Sequence, residues 1–279
     1  MKKRTRNQYS YSALLACSLV IAAFAQVTGF VCAEAGKTGR CPEMKLQSAV
    51  HIPSTGSMSS PASGLIDMTA NELADGQKTE GSREPAVFQA DTSYFDDALF
   101  IGDSRTVGLS EYGNLGNAEV VADSGMNVHE IFDKNFATRS GEKKSLEMIL
   151  SEERFGKIYL MLGINELGYD FDYTVAKYKK LVEKLRETQP DALIFLQANL
   201  HVTAGKSAAS GIYNNENIDR FNRAIGQLAD NRYLFYLDVN ELFDDEGGNL
   251  AEEYTADNSH VLGIYYEDWV EWLLKHAYR

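Results

Sequence analysis

Ser104 stands directly behind the apolar run Ala98-Leu99-Phe100-Ile101, after Gly102-Asp103. A serine at the tip of a buried strand is aimed into solvent by the turn that follows. If that turn opens a helix, free backbone N–H groups and the positive end of the dipole favour a developing anion beside it. The hydroxyl is a poor nucleophile until a base takes its proton. Serine is also among the commonest helix N-caps, so the position has a plain structural reading as well. A candidate base lies near the other end, in Asp257-Asn258-Ser259-His260. An Asp and a His three residues apart in one turn can provide a carboxylate that holds one imidazole N–H while the other nitrogen faces a hydroxyl. The competing reading is Asp257 or Ser259 as a helix cap beside a surface histidine.

Two more strand ends carry suitable groups. Gly163-Ile164-Asn165 closes the run Ile158 to Leu162. An Asn there can donate its amide N–H to an oxyanion, though Asn is equally a turn former. Ser124-Gly125 follows another apolar run. A glycine there lets backbone approach a ligand closely, or is a routine turn residue. His51, His129, His201 and His276 have no carboxylate so placed before a helix. His201, after a strand, reads as loop at the rim of a site.

These residues need a scaffold that brings distant strand ends together. From about Tyr94 the chain alternates short apolar runs with amphipathic stretches. The pattern predicts strands at 98–102, 119–124, 157–162, 192–199 and 233–238. Helices are predicted at 104–112, 141–153, 172–188, 214–230 and 261–276. Tyr178, Leu181, Val182 and Leu185 recur at helical spacing, with Pro190 beyond the stop. The strands are continuously apolar, as expected when helices cover both faces. That order implies one doubly wound α/β domain with a parallel sheet, whose sites lie at the carboxyl ends of strands.

Four modest signals at four strand ends, in this order, resemble the SGNH hydrolase family, also called GDSL esterases. Gly102-Asp103-Ser104 looks like its first block, Gly125 its second, Gly163-Ile164-Asn165 its third and Asp257-x-x-His260 its fifth. The resemblance spans residues from about 95 to 279. It implies a flavodoxin-like three-layer α/β/α sandwich with about five strands. It also implies Ser104 as nucleophile, His260 as base and Asp257 as orienter. The Ser104 N–H, the Gly125 N–H and the Asn165 side chain would form the oxyanion hole. No metal and no organic cofactor is expected. Two residues depart from the pattern. Glu166 replaces the usual Asp, which re-spaces a supporting hydrogen bond. Arg105 replaces a familiar Leu, and its charge either meets an anionic substrate or, as the commoner case, points into solvent.

Bulk properties set the context. The 279 residues carry a formal charge of −13 and are 44% hydrophobic, enough for one sizeable core. An acidic chain repels phosphate backbones, so nucleic acid is not an expected partner. Lys2, Lys3, Arg4 and Arg6, the apolar stretch Ala13 to Ala25 and Val31-Cys32-Ala33 read as an export signal over 1–33, cleaved after Ala33. The alternatives are an uncleaved anchor, which would give the only membrane contact, and a weaker lipoprotein reading at Cys17. Cleavage removes four basic residues and no acidic ones, taking the charge to −17. Of Cys17, Cys32 and Cys41 only Cys41 would remain, so neither a disulfide framework nor a cysteine zinc site is available. Residues 34–90 hold four of the five prolines with dense Ser, Thr and Gly, and read as a flexible spacer before a hydrolase domain at 91–279. The expectation is an extracytoplasmic serine esterase acting on a short-chain acyl ester, with an acylated small molecule or glycan as substrate. An O-acyltransferase using the same acyl-enzyme, or a non-catalytic carbohydrate-binding domain, are the alternatives.

Overall fold

The computed structural model describes residues 87–278. The expected export signal, most of the expected spacer, the three cysteines and His51 lie outside the described residues. The central sheet has five parallel strands: β2 (Ala98–Gly102), β3 (Glu119–Ala122), β6 (Lys157–Met161), β7 (Leu193–Gln197) and β8 (Leu234–Leu237). Their spatial order is β3-β2-β6-β7-β8. The direction of winding therefore reverses between β2 and β6, and sheets of this kind place their sites at the carboxyl ends of strands at such a reversal. In register, Gly102 of β2 sits opposite Met161 of β6 and Ala122 of β3. Ser104, the 123–128 loop and the 163–167 turn thus leave the same edge of the sheet.

Side chains alternate between the two faces, and each face has its own core. Leu99, Ile101, Ile158, Leu160, Ile194 and Leu196 pack with α2 (Leu146–Glu152), α3 (Phe171–Thr188) and α5 (Asn215–Gly226). Phe100, Tyr159, Met161, Phe195 and Leu237 pack with α1 (Ser104–Tyr112) and α7 (Tyr266–Lys275). The result is the three-layer α/β/α sandwich expected from the sequence. The helical stripe on α3 holds: Tyr178, Leu181, Val182 and Leu185 are all buried. Phe100, Tyr159 and Phe195 stack across three adjacent strands, with ring centroids 4.5 and 4.6 Å apart.

Several boundaries differ from the sequence reading. The helix expected over 141–153 starts only at Leu146, capped by Ser145, whose Oγ accepts from the Met148 N–H. Its first part is instead a hairpin, β4 (Asn135–Ala137) with β5 (Lys143–Ser145). The apolar period there belongs to only two turns, and the preceding lysines pair across the hairpin rather than along a helix. The helix expected over 214–230 ends at Gly226. The one expected over 261–276 begins as a 3-10 turn at Gly263–Tyr265 and becomes α-helix at Tyr266. A short helix, α4 (Ala204–Ala209), was not expected, because it buries none of its residues and so leaves no apolar period. A last short helix, α6 (Asn240–Phe243), follows β8.

The spacer boundary also shifts. Val87 and Phe88 form β1, antiparallel to β9 (Ala277–Tyr278), so the fold begins before residue 91. The Ala90 N–H donates to the Leu274 carbonyl, and the Tyr94 hydroxyl donates to the Tyr278 carbonyl at 2.7 Å.

Candidate active site

Asp103 makes the turn from β2 into α1. Its backbone is extended and its carboxylate accepts from the Arg105 N–H at 3.0 Å, capping the helix. The cap role is thus taken by Asp103, which leaves the hydroxyl of Ser104 for other partners. Ser104 Oγ lies 2.9 Å from His260 Nε2. His260 Nδ1 lies 2.6 Å from Asp257 Oδ2. A carboxylate so placed fixes Nδ1 as the protonated nitrogen and presents the Nε2 lone pair to the hydroxyl.

The turn that carries Asp257 and His260 is built for this register. It is closed by an antiparallel bridge between Thr255 and Val261. Asp257 Oδ1 accepts the backbone N–H groups of His260 at 2.7 Å and Ser259 at 2.9 Å. Burial alone would push the Asp257 carboxyl up, but the bonds from the His260 ring and from these N–H groups outweigh it. They hold the group well below the ordinary carboxylate range. Asn258 takes a left-handed backbone, φ 68°, at the apex. That conformation is held from outside: the Thr203 N–H donates to the Asn258 carbonyl at 3.1 Å, and the Thr203 hydroxyl to Asn258 Oδ1 at 3.1 Å. Lys206 Nζ bonds Ser259 Oγ. The unexpected helix α4 therefore buttresses the turn.

Asn165 Nδ2 donates to the Met126 carbonyl at 2.8 Å. An amide nitrogen has two hydrogens, so one fixes the side chain to the 123–128 loop and the second stays available to a ligand. Gly125 has φ +77° and a Cβ there would touch nothing within 4 Å, so its backbone borders open space. Neither the Ser104 N–H nor the Gly125 N–H has a hydrogen-bond partner among the described residues. Gly163 turns the chain at the end of β6 with φ +130°, in a space that has no room for a side chain. The structure bonds three of the five residues singled out from the sequence, Ser104, His260 and Asp257, into one chain, and ties Asn165 to the loop that carries Gly125.

The two departures from the family pattern turn out to be buried. Glu166 is 2% exposed, and its Oε1 accepts the Val128 N–H at 2.6 Å. The longer side chain thus reaches the same loop that Asn165 grips. Burial pushes its pKa up to about 7, against the lowering effect of the Val128 N–H; the Asp103 charge adds to the rise. Arg105 does not point into solvent, and it is not offered to a substrate. It is 3% exposed, with Nε on Asp103 Oδ1 at 2.9 Å and Nη2 on Asn199 Oδ1 at 2.9 Å, and it is ion-paired to Asp103. The general expectation that arginine is exposed fails because Asp103 is fully buried beside it and needs a cation.

His201 is also more than loop. Its Nδ1 lies 2.6 Å from Asp244 Oδ2 and its Nε2 3.0 Å from Asp219 Oδ1. Burial alone would lower its pKa, but the two carboxylates outweigh that and raise it. Both ring nitrogens are occupied, so it is a clamp between helices and not a second base. Asp219 and Asp244 are 18 and 43 positions away, and no local spacing announces them. Among the described residues no group of three or more His, Cys, Asp or Glu side chains is gathered as a metal site requires.

Comparison with known proteins agrees with this architecture. The family model described as GDSL-like lipase/acylhydrolase matches residues 100–262, more than half of the chain and all five site residues. No curated protein matches the chain in sequence. Among solved structures, a Streptococcus pneumonia protein provisionally named a platelet activating factor is 19% identical. The match covers 66% of this chain and 90% of that one, with a TM-score of 0.51, which shows a shared fold. A GDSL-like lipase from Bacteroides thetaiotaomicron is 16% identical over 67% of this chain and 90% of its own, with a TM-score of 0.49. A catalytic mutant of an acetylxylan esterase from Geobacillus stearothermophilus is 16% identical over 65% and 94%, with a TM-score of 0.45. With the fold, the strand-end motifs and the family match in agreement, the chain belongs to the GDSL-like lipase/acylhydrolase family, the SGNH hydrolases, and is a serine hydrolase acting on ester bonds.

Proposed function

We propose that this hydrolase is an exported esterase that removes a short acyl group, acetyl in the first instance, from an envelope or extracellular glycan. The observation that carries the catalytic part is the unbroken chain Ser104 Oγ, His260 Nε2, His260 Nδ1, Asp257 Oδ2, at 2.9 and 2.6 Å. His260 takes the Ser104 proton as Oγ attacks the ester carbonyl. The tetrahedral oxyanion sits between the N–H groups of Ser104 and Gly125 and the second amide hydrogen of Asn165. His260 then hands the proton to the leaving alcohol, and an acyl-serine remains. Water, deprotonated by His260, adds to that carbonyl, and the collapse returns the carboxylic acid and the serine.

The extracytoplasmic part is supported by the basic and apolar pattern of 1–33 and by the low-complexity stretch behind it. Two measurements test the proposal. Incubation of O-acetylated envelope glycans with the protein should release acetate, and the Ser104→Ala variant should release none above background. The intact mass of exported protein should correspond to a chain starting at Glu34. Acetate appearing on an added acceptor glycan instead of in solution would make the enzyme a transferase.

A further inference from the structure

We propose that the exposed rings of Tyr169 and Tyr173, braced by His129, form a subsite that holds the pyranose ring of an O-acylated sugar beside Ser104. The inference rests on the esterase reading above and names what the alcohol side of the ester is.

The placement comes from two loops already described. His129 lies four residues after Gly125, and Tyr169 four residues after Asn165. Both loops are fixed close to their oxyanion-facing ends. The Val128 N–H is held by Glu166, and the Tyr169 N–H donates to the Glu166 carbonyl at 2.9 Å. Four extended residues span at most about 14 Å, so His129 and Tyr169 are carried within that distance of Gly125 and Asn165, and Tyr173 stacks on His129.

The patch is aromatic, open and rigid. His129 packs against Tyr169 with centroids 5.0 Å apart, and against Tyr173 at 5.3 Å with planes only 7° apart. Tyr169 and Tyr173 are nonetheless 59% and 54% exposed, among the most exposed large apolar side chains of the described residues. Ile212, 45% exposed, borders the same surface beside Gly168, and Tyr213 follows it. The loop that carries them is pinned: Asn217 Nδ2 donates to the Ile212 carbonyl at 2.9 Å, and the Tyr213 N–H to Ser210 Oγ at 2.8 Å. Burial first, and then the Lys177 charge, hold the His129 pKa below its ordinary value, against the raising effect of Glu130. Leaving two tyrosines this open costs free energy unless something covers them.

The chemistry of the patch selects the occupant. A pyranose has an apolar face of C–H groups and an equator of hydroxyls. Tyrosine matches it with a flat ring and a polar rim, adding little side-chain entropy cost. An extended acyl chain would call for an enclosed aliphatic slot, and here the rings are open and edged by phenol hydroxyls and Lys177 Nζ, 5.5 Å from the Tyr173 ring centre. A polyanionic backbone is disfavoured by the −13 charge of the chain.

The test compares three esters in the full-length protein, each kept below its solubility limit: glucose pentaacetate, triacetin and tributyrin. The first two share the acetyl group and differ in the ring. The third lengthens the acyl chain on the glycerol of the second. Tyr169→Ala and Tyr173→Ala should each raise KM for glucose pentaacetate roughly tenfold with kcat within about twofold, the pattern of lost uniform binding. Triacetin kinetics should stay within about twofold, and Tyr169→Phe should restore the sugar ester. A loss confined to tributyrin would make the patch an acyl-chain wall and overturn the proposal, as would equal losses on all three esters or none. Failure of the esterase reading looks different: the wild type, or Ser104→Ala relative to it, would show no serine-dependent turnover of triacetin. In that case binding of cellotetraose, followed by saturation-transfer NMR, still decides the subsite. Binding weakened by Tyr169→Ala supports it, and binding unchanged by that variant, or absent in the wild type, contradicts it.

Discussion

Asn165 and Glu166 are consecutive residues that act on one loop from two directions. One donates to the Met126 carbonyl and the other accepts the Val128 N–H. Asn165→Ala removes both the loop contact and the proposed donor to the oxyanion. It should lower kcat on triacetin roughly 100- to 1,000-fold with little change in KM. Steady-state kinetics with a melting curve to confirm folding checks this; unchanged turnover would rule out the assigned role. Glu166 makes a prediction about pH. Its ordinary pKa is 4.5, and burial first of all raises it to about 7 in the folded chain. Between those values the unfolded chain has released the proton that the folded chain still holds. Stability contributed by the protonated form is therefore full below about pH 4.5 and lost as pH rises to about 7, a change on the order of 3 kcal/mol. Urea unfolding at pH 5 and pH 8 should show that loss in the wild type and not in Glu166→Gln. The Gln variant keeps an oxygen for the Val128 N–H, so parallel profiles would mean that the carboxyl is not so perturbed.

At the level of elements, the site depends on turns that hold strand ends in unusual conformations. Gly163 has φ +130°, and a Cβ there would lie 2.3 Å from Phe221 Cε1 and 2.9 Å from Asn199 Nδ2. Gly163→Ala combines backbone strain with overpacking against a buried ring. It should cost about 2–4 kcal/mol in urea unfolding and should displace Asn165 with it. A loss under 0.5 kcal/mol would show that the turn adapts. These element-level features also mark how far the residues could be read unaided. The inner strands β2, β6 and β7 and the stripe on α3 were legible because burial on both faces writes continuous apolar runs, and because one buried helix face writes a period of 3.6; the edge strands β3 and β8 are buried at alternate positions only and were marked by short apolar runs alone. The hairpin at 135–145 was not, since Lys143-Lys144-Ser145 has no alternating apolar pattern. Nor was α4, which is held to the Asp257 turn by Thr203 and Lys206 through contacts 53 to 55 positions away in sequence. Arg105 differs from its expected exposure for the same reason: its place is set by Asn199, 94 positions distant, and by the burial of Asp103.

For the whole molecule, the decisive feature is topological. Winding reverses between β2 and β6, so the loops after β2, β3 and β6 leave the same edge of the sheet, and the turn carrying Asp257 and His260 meets the first of them at Ser104. Ser104 and His260 are 156 positions apart and meet only through that arrangement. The residues of the site were legible because each sits at a strand or helix end with a chemically telling neighbour, and the family resemblance supplied their pairing. The second layer, Glu166 on the Val128 N–H and His201 between Asp219 and Asp244, was hidden because it is made of long-range contacts between residues with no motif of their own.

The most direct measurement is intact-mass and peptide mass spectrometry after exposure to a fluorophosphonate at neutral pH. Ser104 activated by His260 should take one phosphonyl group, mapped to the peptide carrying Ser104, and His260→Ala should slow that labelling at least 100-fold. A wild-type protein that stays unlabelled, or carries the adduct on another residue, would contradict the account.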